Sequence, residues 1–414
     1  MYFCTSLTKP TMTMSRKYIL FIIITLLSIC GYTQTVVESV QNPAEPVRST
    51  RQAYRLSDSA YATLVTCGPG EDFYTAFGHT ALHLCDSTKG IDVVYNYGCF
   101  DFDAPHFYLN FARGQMDYFA TRVTYASFLM EYMFEGRAVW EQRLLLSTAE
   151  LETLFMMLEE NVKPENKYYK YDFFRDNCAT RVRDKIEMSL QGRQLADTVN
   201  HPAGKESYRS LVHKYTDGVM EWWQLGIDLL LGARCDRELT AAEYMYVPME
   251  MMNQYDTTLL RPAGGLLAEP VKQVLEESRA EEPTRLSPTL FFWILFILVG
   301  VLTLVGRKYG WRMAWLDAIL FGAAGLVSLL LLFLWFGSDH YCTKWNLNLL
   351  WANPLMLWMV CRLRKGCKVV SLVVLGCLLI VLAGWFWLPQ EFNAAVLPLV
   401  LMLMVRCLGM VRIG

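Results

Sequence analysis

The residues with the clearest chemical meaning lie in the stretch Tyr171-Asp172-Phe173-Phe174-Arg175-Asp176-Asn177-Cys178-Ala179-Thr180-Arg181-Val182-Arg183-Asp184. Asp176 and Asn177 are N-cap types, whose side-chain oxygens accept the free N–H groups of a first helical turn. Val182, Ile186 and Leu190 then recur at helical spacing. Cys178 is therefore expected at or near the first helical position. The helix dipole there favours an anion, so a thiol should lose its proton more easily, and the thiolate is the nucleophile. The plain alternative is a small residue buried at a helix start.

A cysteine nucleophile needs a base, and the base needs an orienting partner. The histidines are His79, His83, His106, His201, His213 and His340. His79 follows Phe77-Gly78 at the start of an alternating run, where glycine permits close backbone approach. His83 lies four residues on, the same face of a strand. Asn96 on the following strand is the candidate orienter of His79, with Asp101 a second. A hydrogen-bonded strand histidine is the bland reading of His79.

The elements that must carry these groups read as an α+β unit with a modest antiparallel sheet. Strands are expected over 61–67, 77–84, 91–97 and 137–146. Helices are expected over 124–134, from the Ser147-Thr148-Ala149-Glu150 capping box to 162, and over 208–215, 219–231 and 240–255, the last bent at Pro248. Before this unit come a signal-like segment, 1–33, with Arg16 and Lys17 ahead of an apolar run, and an aperiodic tether, 34–57. An uncleaved anchor helix is the alternative for that segment. The catalytic unit spans 58–275, a charged linker 276–288 and a membrane domain 289–414.

The membrane domain offers five apolar segments, 290–306, 314–337, 349–361, 369–388 and 394–410; the third is short and holds Asn353-Pro354. Arg307, Lys308 and Arg312 follow the first, Arg362, Arg364, Lys365 and Lys368 follow the third, and Arg406 and Arg412 mark the tail. Positive loops stay in the cytoplasm, so the residues before 290 face the outside, in agreement with an export signal. The formal net charge of −2 gives no hint of a nucleic-acid partner. Cys67, Cys85, Cys99, Cys178, Cys235 and Cys342 fall on the oxidising side without regular spacing or a CxxC pair, and no metal site or cofactor is expected. Trp222-Trp223 reads as core or membrane-surface packing, and Asp317 as a carboxylate near the cytoplasmic end of its segment.

A histidine on an early strand with Asn-Cys at a later helix start resembles the circularly permuted papain-like group, which includes NlpC-type and lecithin:retinol acyltransferase-like proteins. The chain looks closer still to the Lnb family of Bacteroidetes membrane proteins. The resemblance rests on Phe77-Gly78-His79-Thr80, Tyr95-Asn96-Tyr97-Gly98, Asp176-Asn177-Cys178-Ala179-Thr180-Arg181 and Asn346-Leu347-Asn348-Leu349-Leu350-Trp351-Ala352-Asn353-Pro354. It implies a permuted papain-like periplasmic domain on a membrane domain of about five helices in the bacterial inner membrane. It also implies a lipoprotein N-acyltransferase, with Cys178 as acyl carrier, His79 as base and Asn96 as orienter. The donor would be a membrane phospholipid and the acceptor the N-terminal amine of a diacylated lipoprotein. The polar, aromatic outer loop 338–348 is expected to meet the exported domain and help hold a headgroup, with His340, Asn346, Asn348, Trp351 and Arg181 as candidate contacts. The competing readings are a Cys-His hydrolase, either a phospholipase or a cell-wall peptidase of the NlpC kind, and a non-catalytic sensor or scaffold.

Overall fold

The computed structural model describes residues 55–72, 74–195, 206–262, 264–278, 283–311, 313–363 and 368–413. The signal segment and most of the tether lie outside the described residues. Of the tether's end, Leu56 is buried in the core and Ser57 bonds both oxygens of Asp86, at 2.8 and 2.6 Å, so the folded unit begins before residue 58.

The chain forms β1 (Tyr61–Cys67), β2 (His79–Asp86), β3 (Ile91–Cys99), α1 (Phe107–Arg113), β4 (Asp117–Thr124), α2 (Tyr125–Glu135), β5 (Val139–Arg143), α3 (Thr148–Asn161), β6 (Tyr168–Lys170) and α4 (Cys178–Ser189). There follow β7 (Gln194–Leu195), α5 (Tyr208–Thr216), α6 (Glu221–Leu230), α7 (Ala241–Tyr244), α8 (Pro248–Tyr255), β8 (Leu260–Arg261) and β9 (Lys272–Leu275). Seven strands pair antiparallel in the order β6-β4-β3-β2-β1-β5-β9. The sheet is larger than the sequence suggests: the residue pattern does not mark β4 and β6 as strands, and β9 falls in what reads as the approach to a charged linker.

Both faces of the sheet are covered. Leu64, Leu82, Leu84, Tyr95 and Tyr97 meet Leu154 and Leu158 of α3, Val182 and Ile186 of α4, and Met251 and Tyr255 of α8. On the other face Val65, Cys67, Ala81 and Val94 meet Phe128 and Tyr132 of α2. The segment expected as one bent helix over 240–255 is two helices. Pro248 occupies the first turn of α8, where its missing N–H costs nothing, and Val247 before it is extended.

The membrane part holds α9 (Pro288–Tyr309), α10 (Ala314–Phe336), α11 (Leu355–Arg362), α12 (Lys368–Ala383) and α13 (Val396–Ile413). Only α9 and α10, of 22 and 23 residues, are long and apolar enough among the described residues to cross a membrane by length and composition. The third apolar segment is not one continuous helix. A 3-10 turn over Leu347–Leu350 and Asn353-Pro354 interrupt it, leaving the eight residues of α11, about 12 Å of rise. Asp317 at the start of α10 is paired with Arg406 of α13 at 2.6 Å, and Arg406 also reaches Thr303 of α9, so the carboxylate in this apolar region has a counter-charge. Trp222 donates to the Leu286 carbonyl and packs on Phe291 and Phe292, which is membrane-proximal packing.

The two halves are joined around Asp228 of α6. Its carboxylate takes bonds from Arg209 of α5 at 2.9 Å, His213 at 2.9 Å and Asn393 at 2.8 Å. Asn346 donates to the carbonyls of Leu229 and Leu230, and Asn348 to those of Asp228 and Leu229, which satisfies the open C-terminal end of α6 from the membrane side. Replacing Asp228 by Ala should leave Arg209 and Asn393 short of a buried acceptor and cost about 3–5 kcal/mol. Thermal unfolding of the detergent-solubilised full chain checks this, and a midpoint equal to wild type would mean the cluster contributes nothing.

Candidate active site

Cys178 is the first residue of α4, as the cap residues before it predict. Asn177 holds it there with its whole side chain. Its Oδ1 accepts the Thr180 N–H at 2.9 Å, and its Nδ2 donates to the carbonyls of Phe173 and Tyr246, both at 2.9 Å. Thr180 returns the bond by accepting the Asn177 N–H at 2.8 Å. The Asn-Cys-x-Thr spacing is thus a capping box with a cysteine inside it. Ala179 is fully buried in the core between α4 and the sheet.

His79 opens β2. Gly78 before it has φ +81°, and a Cβ there would lie 2.6 Å from the Cys67 carbonyl, so glycine is required at that approach. Nε2 of His79 meets Asn96 Oδ1 at 2.5 Å, and Tyr132 stacks on the ring. An amide oxygen only accepts, so Nε2 carries the proton and Nδ1 is left as the basic nitrogen. Asn96 reaches this position because it lies on the same face as Ala81, its register partner, one pleat from His79.

Cys178 comes to β2 through its neighbour: the thiol lies against the backbone N–H of Thr80, and also of Ala179 and its own residue. Gly98 of β3 faces it from the other side, where a Cβ would lie 3.8 Å from the Cys178 Cβ. Thr80 directly follows His79 in β2, so the thiol lies near the start of that strand, and no direct hydrogen bond joins the Cys178 and His79 side chains among the described residues.

The electrostatics correct one expectation. Burial pushes the Cys178 thiol up to about 11, outweighing the three backbone N–H groups and the charge of Arg137 that pull it down. Burial also pushes His79 down to about 4, against the Asn96 bond and with help from Arg137. The helix start lowers the cost of a thiolate, but removal from water costs more. The resting pair is a neutral thiol beside a neutral imidazole.

Arg137 is the group that sequence reading missed. It is almost wholly buried, bonded to the Gly68 carbonyl and Glu135, both at 2.8 Å, and stacked over Tyr132, while its Nη2 has no partner. Nothing in its position before β5 marks it; the pairing of β5 with the end of β1, together with the Tyr132 ring of α2, brings its charge to the site.

Several other candidates are placed elsewhere. His83 bonds Asp92 at 2.7 Å and stacks on Tyr125, away from the thiol. With Cys85 these two set nitrogen, sulfur and oxygen atoms within 4.8 Å of one another, a grouping the sequence spacing does not suggest. Asp101 caps a local turn at Asp103 and does not reach His79. Arg181 grips Asp176 with two bonds of 2.6 and 2.8 Å and lies over Tyr169. His340 bonds the Phe111 carbonyl at 2.8 Å, so the outer loop does meet the exported domain, at α1. Asn346, Asn348 and Trp351 are buried and bonded internally, Trp351 to Asn348 at 2.8 Å; the structure does not bring them to Cys178. The nine described cysteines all carry free thiols.

Two measurements follow. Alkylation of Cys178 by iodoacetamide, read by peptide mass spectrometry, should be slow at neutral pH and rise about tenfold per pH unit toward 11. A rate already level at neutral pH would mean a resting thiolate. Asn177→Ala removes the cap and strands two carbonyls, and should cost about 2–3 kcal/mol in denaturant unfolding of the full chain; a loss below about 0.5 kcal/mol, the scale of ordinary surface changes, would refute the locking role.

Comparison with known proteins covers both halves of the chain. A family model described as the Lnb N-terminal periplasmic domain matches residues 49–214, and one described as the Lnb transmembrane domain matches residues 280–413. No curated protein and no solved structure matches the chain. The first match contains His79, Asn96 and Cys178, and the second contains α9 to α13. With the two domains matched in the order that the fold displays, the chain belongs to the Lnb family: a periplasmic N-terminal domain followed by a membrane domain.

Proposed function

We propose that the protein is a lipoprotein N-acyltransferase of the bacterial inner membrane, acting through a thioester on Cys178 in a permuted papain-like domain. The observation that carries this reading is a helix-start cysteine whose thiol is acted on by the N–H of Thr80, the residue after the Asn96-bonded His79, on a domain clamped to its own membrane helices.

In the first half-reaction Nδ1 of His79 takes the thiol proton as sulfur adds to the carbonyl carbon of a phospholipid ester. The N–H groups of Thr80, Cys178 and Ala179, which face the sulfur, are the donors best placed for the resulting oxyanion. The ester C–O bond then breaks, and the lysophospholipid leaves with the proton from His79. In the second half the α-amine of a diacylated lipoprotein attacks the thioester. The C–S bond breaks, and the amine's proton returns to sulfur through His79. A neutral resting pair suits this chemistry, because an acyl chain entering the site meets no thiolate or imidazolium that it must strip of water. The proton moves only as the new bond forms, which is general-base rather than ion-pair catalysis.

Asn346, Asn348 and Trp351 serve this function by holding the periplasmic domain on the membrane rather than by binding a headgroup. Hydrolysis would use the same Cys178 and His79 with water in place of the amine, so the acceptor decides between the two readings.

Mass spectrometry of a reporter lipoprotein's N-terminal peptide tests the proposal. An acyl group on the α-amine should be present with the native chain and absent with Cys178→Ala, and His79→Gln should slow its appearance by about 10² to 10⁴-fold. An N-terminus identical in native and Cys178→Ala cells would remove N-acyl transfer and favour hydrolysis.

A further inference from the structure

Helix α1 buries none of its residues, yet it carries large apolar side chains. Tyr108, Leu109 and Phe111 are exposed, as is Phe102 just before the helix. A contiguous apolar patch of this kind marks a place that something covers. What covers it is set by where the helix is fixed. The Arg113 carbonyl accepts the Asp339 N–H at 2.8 Å, the Phe111 carbonyl is bonded by His340, and Gln115 bonds the Asp339 carboxylate at 3.0 Å. Asp339 lies three residues beyond the end of α10, one of the two described helices long and apolar enough to cross a membrane. The C-terminal end of α1 is therefore held at the level where α10 leaves the bilayer.

From the other end of α1 a line of aromatic rings runs inward. Phe107 packs on Phe102 at 5.1 Å, Phe102 on Phe100 at 4.7 Å, Phe100 on Tyr118 at 5.2 Å, and Tyr118 stacks on Tyr171 at 4.1 Å. Phe100 is two residues after Gly98, the glycine that faces Cys178. An apolar surface thus leads from the outer face of the membrane to the thiol.

We infer that α1 lies in the outer leaflet of the membrane as an interfacial lip, and that outer-leaflet phospholipid acyl chains reach Cys178 along the Phe102–Phe100–Tyr118 wall. A short helix with an apolar face and C-terminal carbonyls already bonded is stable in that interface. Bilayer insertion would also explain why so many large side chains on one short helix have no protein cover. The inference rests on the acyl-transfer reading for the role of the lipid, but not for the contact itself.

The experiment uses the full chain in vesicles of phosphatidylethanolamine and phosphatidylglycerol. p-Benzoylphenylalanine is installed in place of Leu109, and in a second protein in place of Thr88. Thr88 lies in the β2–β3 turn, at the end of the sheet opposite His79 and roughly 20 Å away along the strand. Illumination should yield phospholipid adducts at 109 and none above background at 88; equal yields at the two positions would overturn the lip. In parallel, Tyr108→Glu with Leu109→Glu should lower turnover of bilayer phospholipid on the order of tenfold while Cys178 is alkylated at the wild-type rate. Unchanged turnover would overturn the access role. Adducts at 109 in a chain that never N-acylates would leave the lip standing and refute the transfer, so the two failures are separable.

Discussion

The buried carboxylate of Asp228 is the constraint on which the arrangement of this protein depends. A charge removed from water must be matched by donors, and here they come from three parts of the chain: Arg209 and His213 on α5, and Asn393 from the loop between the last two membrane helices. Burial alone would lower the His213 pKa, but the Asp228 carboxylate, with Glu391 and Asp217 nearby, raises it. The same helix end takes Asn346 and Asn348 from the outer loop. Arg209 is shared with the Asp236 carboxylate, at 2.7 and 3.1 Å, while Asn346, Asn348 and Asn393 reach α6 from the membrane part, so the periplasmic and membrane domains are joined at this cluster.

That position matters because the chemistry proposed for Cys178 requires a lipid and a membrane-bound acceptor. A cysteine hydrolase working on a soluble substrate has no need of a fixed height above a bilayer. Here the clamp at α6 and the contact of the outer loop with α1 join the periplasmic domain to the membrane part at two places. The candidate site lies at the end of the sheet where β2 begins and β3 ends.

Within the site, burial is the dominant electrostatic effect. It raises the thiol and lowers the imidazole, so the field of the helix start and of Arg137 moderates the thiol rather than setting its state. The rigidity of the site comes from backbone requirements instead. Asn177 spends every polar atom of its side chain on the loop and helix around Cys178, and Gly78 lets β2 start against the Cys67 carbonyl.

Much of this is local, and local information is what a sequence carries. The capping pattern before Cys178, the alternation of β2 and β3, the length of the first two apolar helices and the pairing of His79 with Asn96 follow from spacing within one element or between adjacent strands. The sequence by itself therefore determined the helix-start cysteine, its candidate base and orienter, and the order of an exported domain before a membrane domain. What depended on contacts distant in the chain was decided by the tertiary structure alone. Arg137 enters the site through the pairing of β5 with β1 and the packing of α2, and the thiol's raised pKa reflects burial by surrounding elements, which no short stretch encodes. The polar residues of the 346–351 segment read as ligand contacts because they are polar beside a membrane; in the fold they are consumed by the open carbonyls of α6. A hydrogen-bonding side chain announces that it needs a partner, and only the folded chain says whether that partner is a substrate or its own backbone.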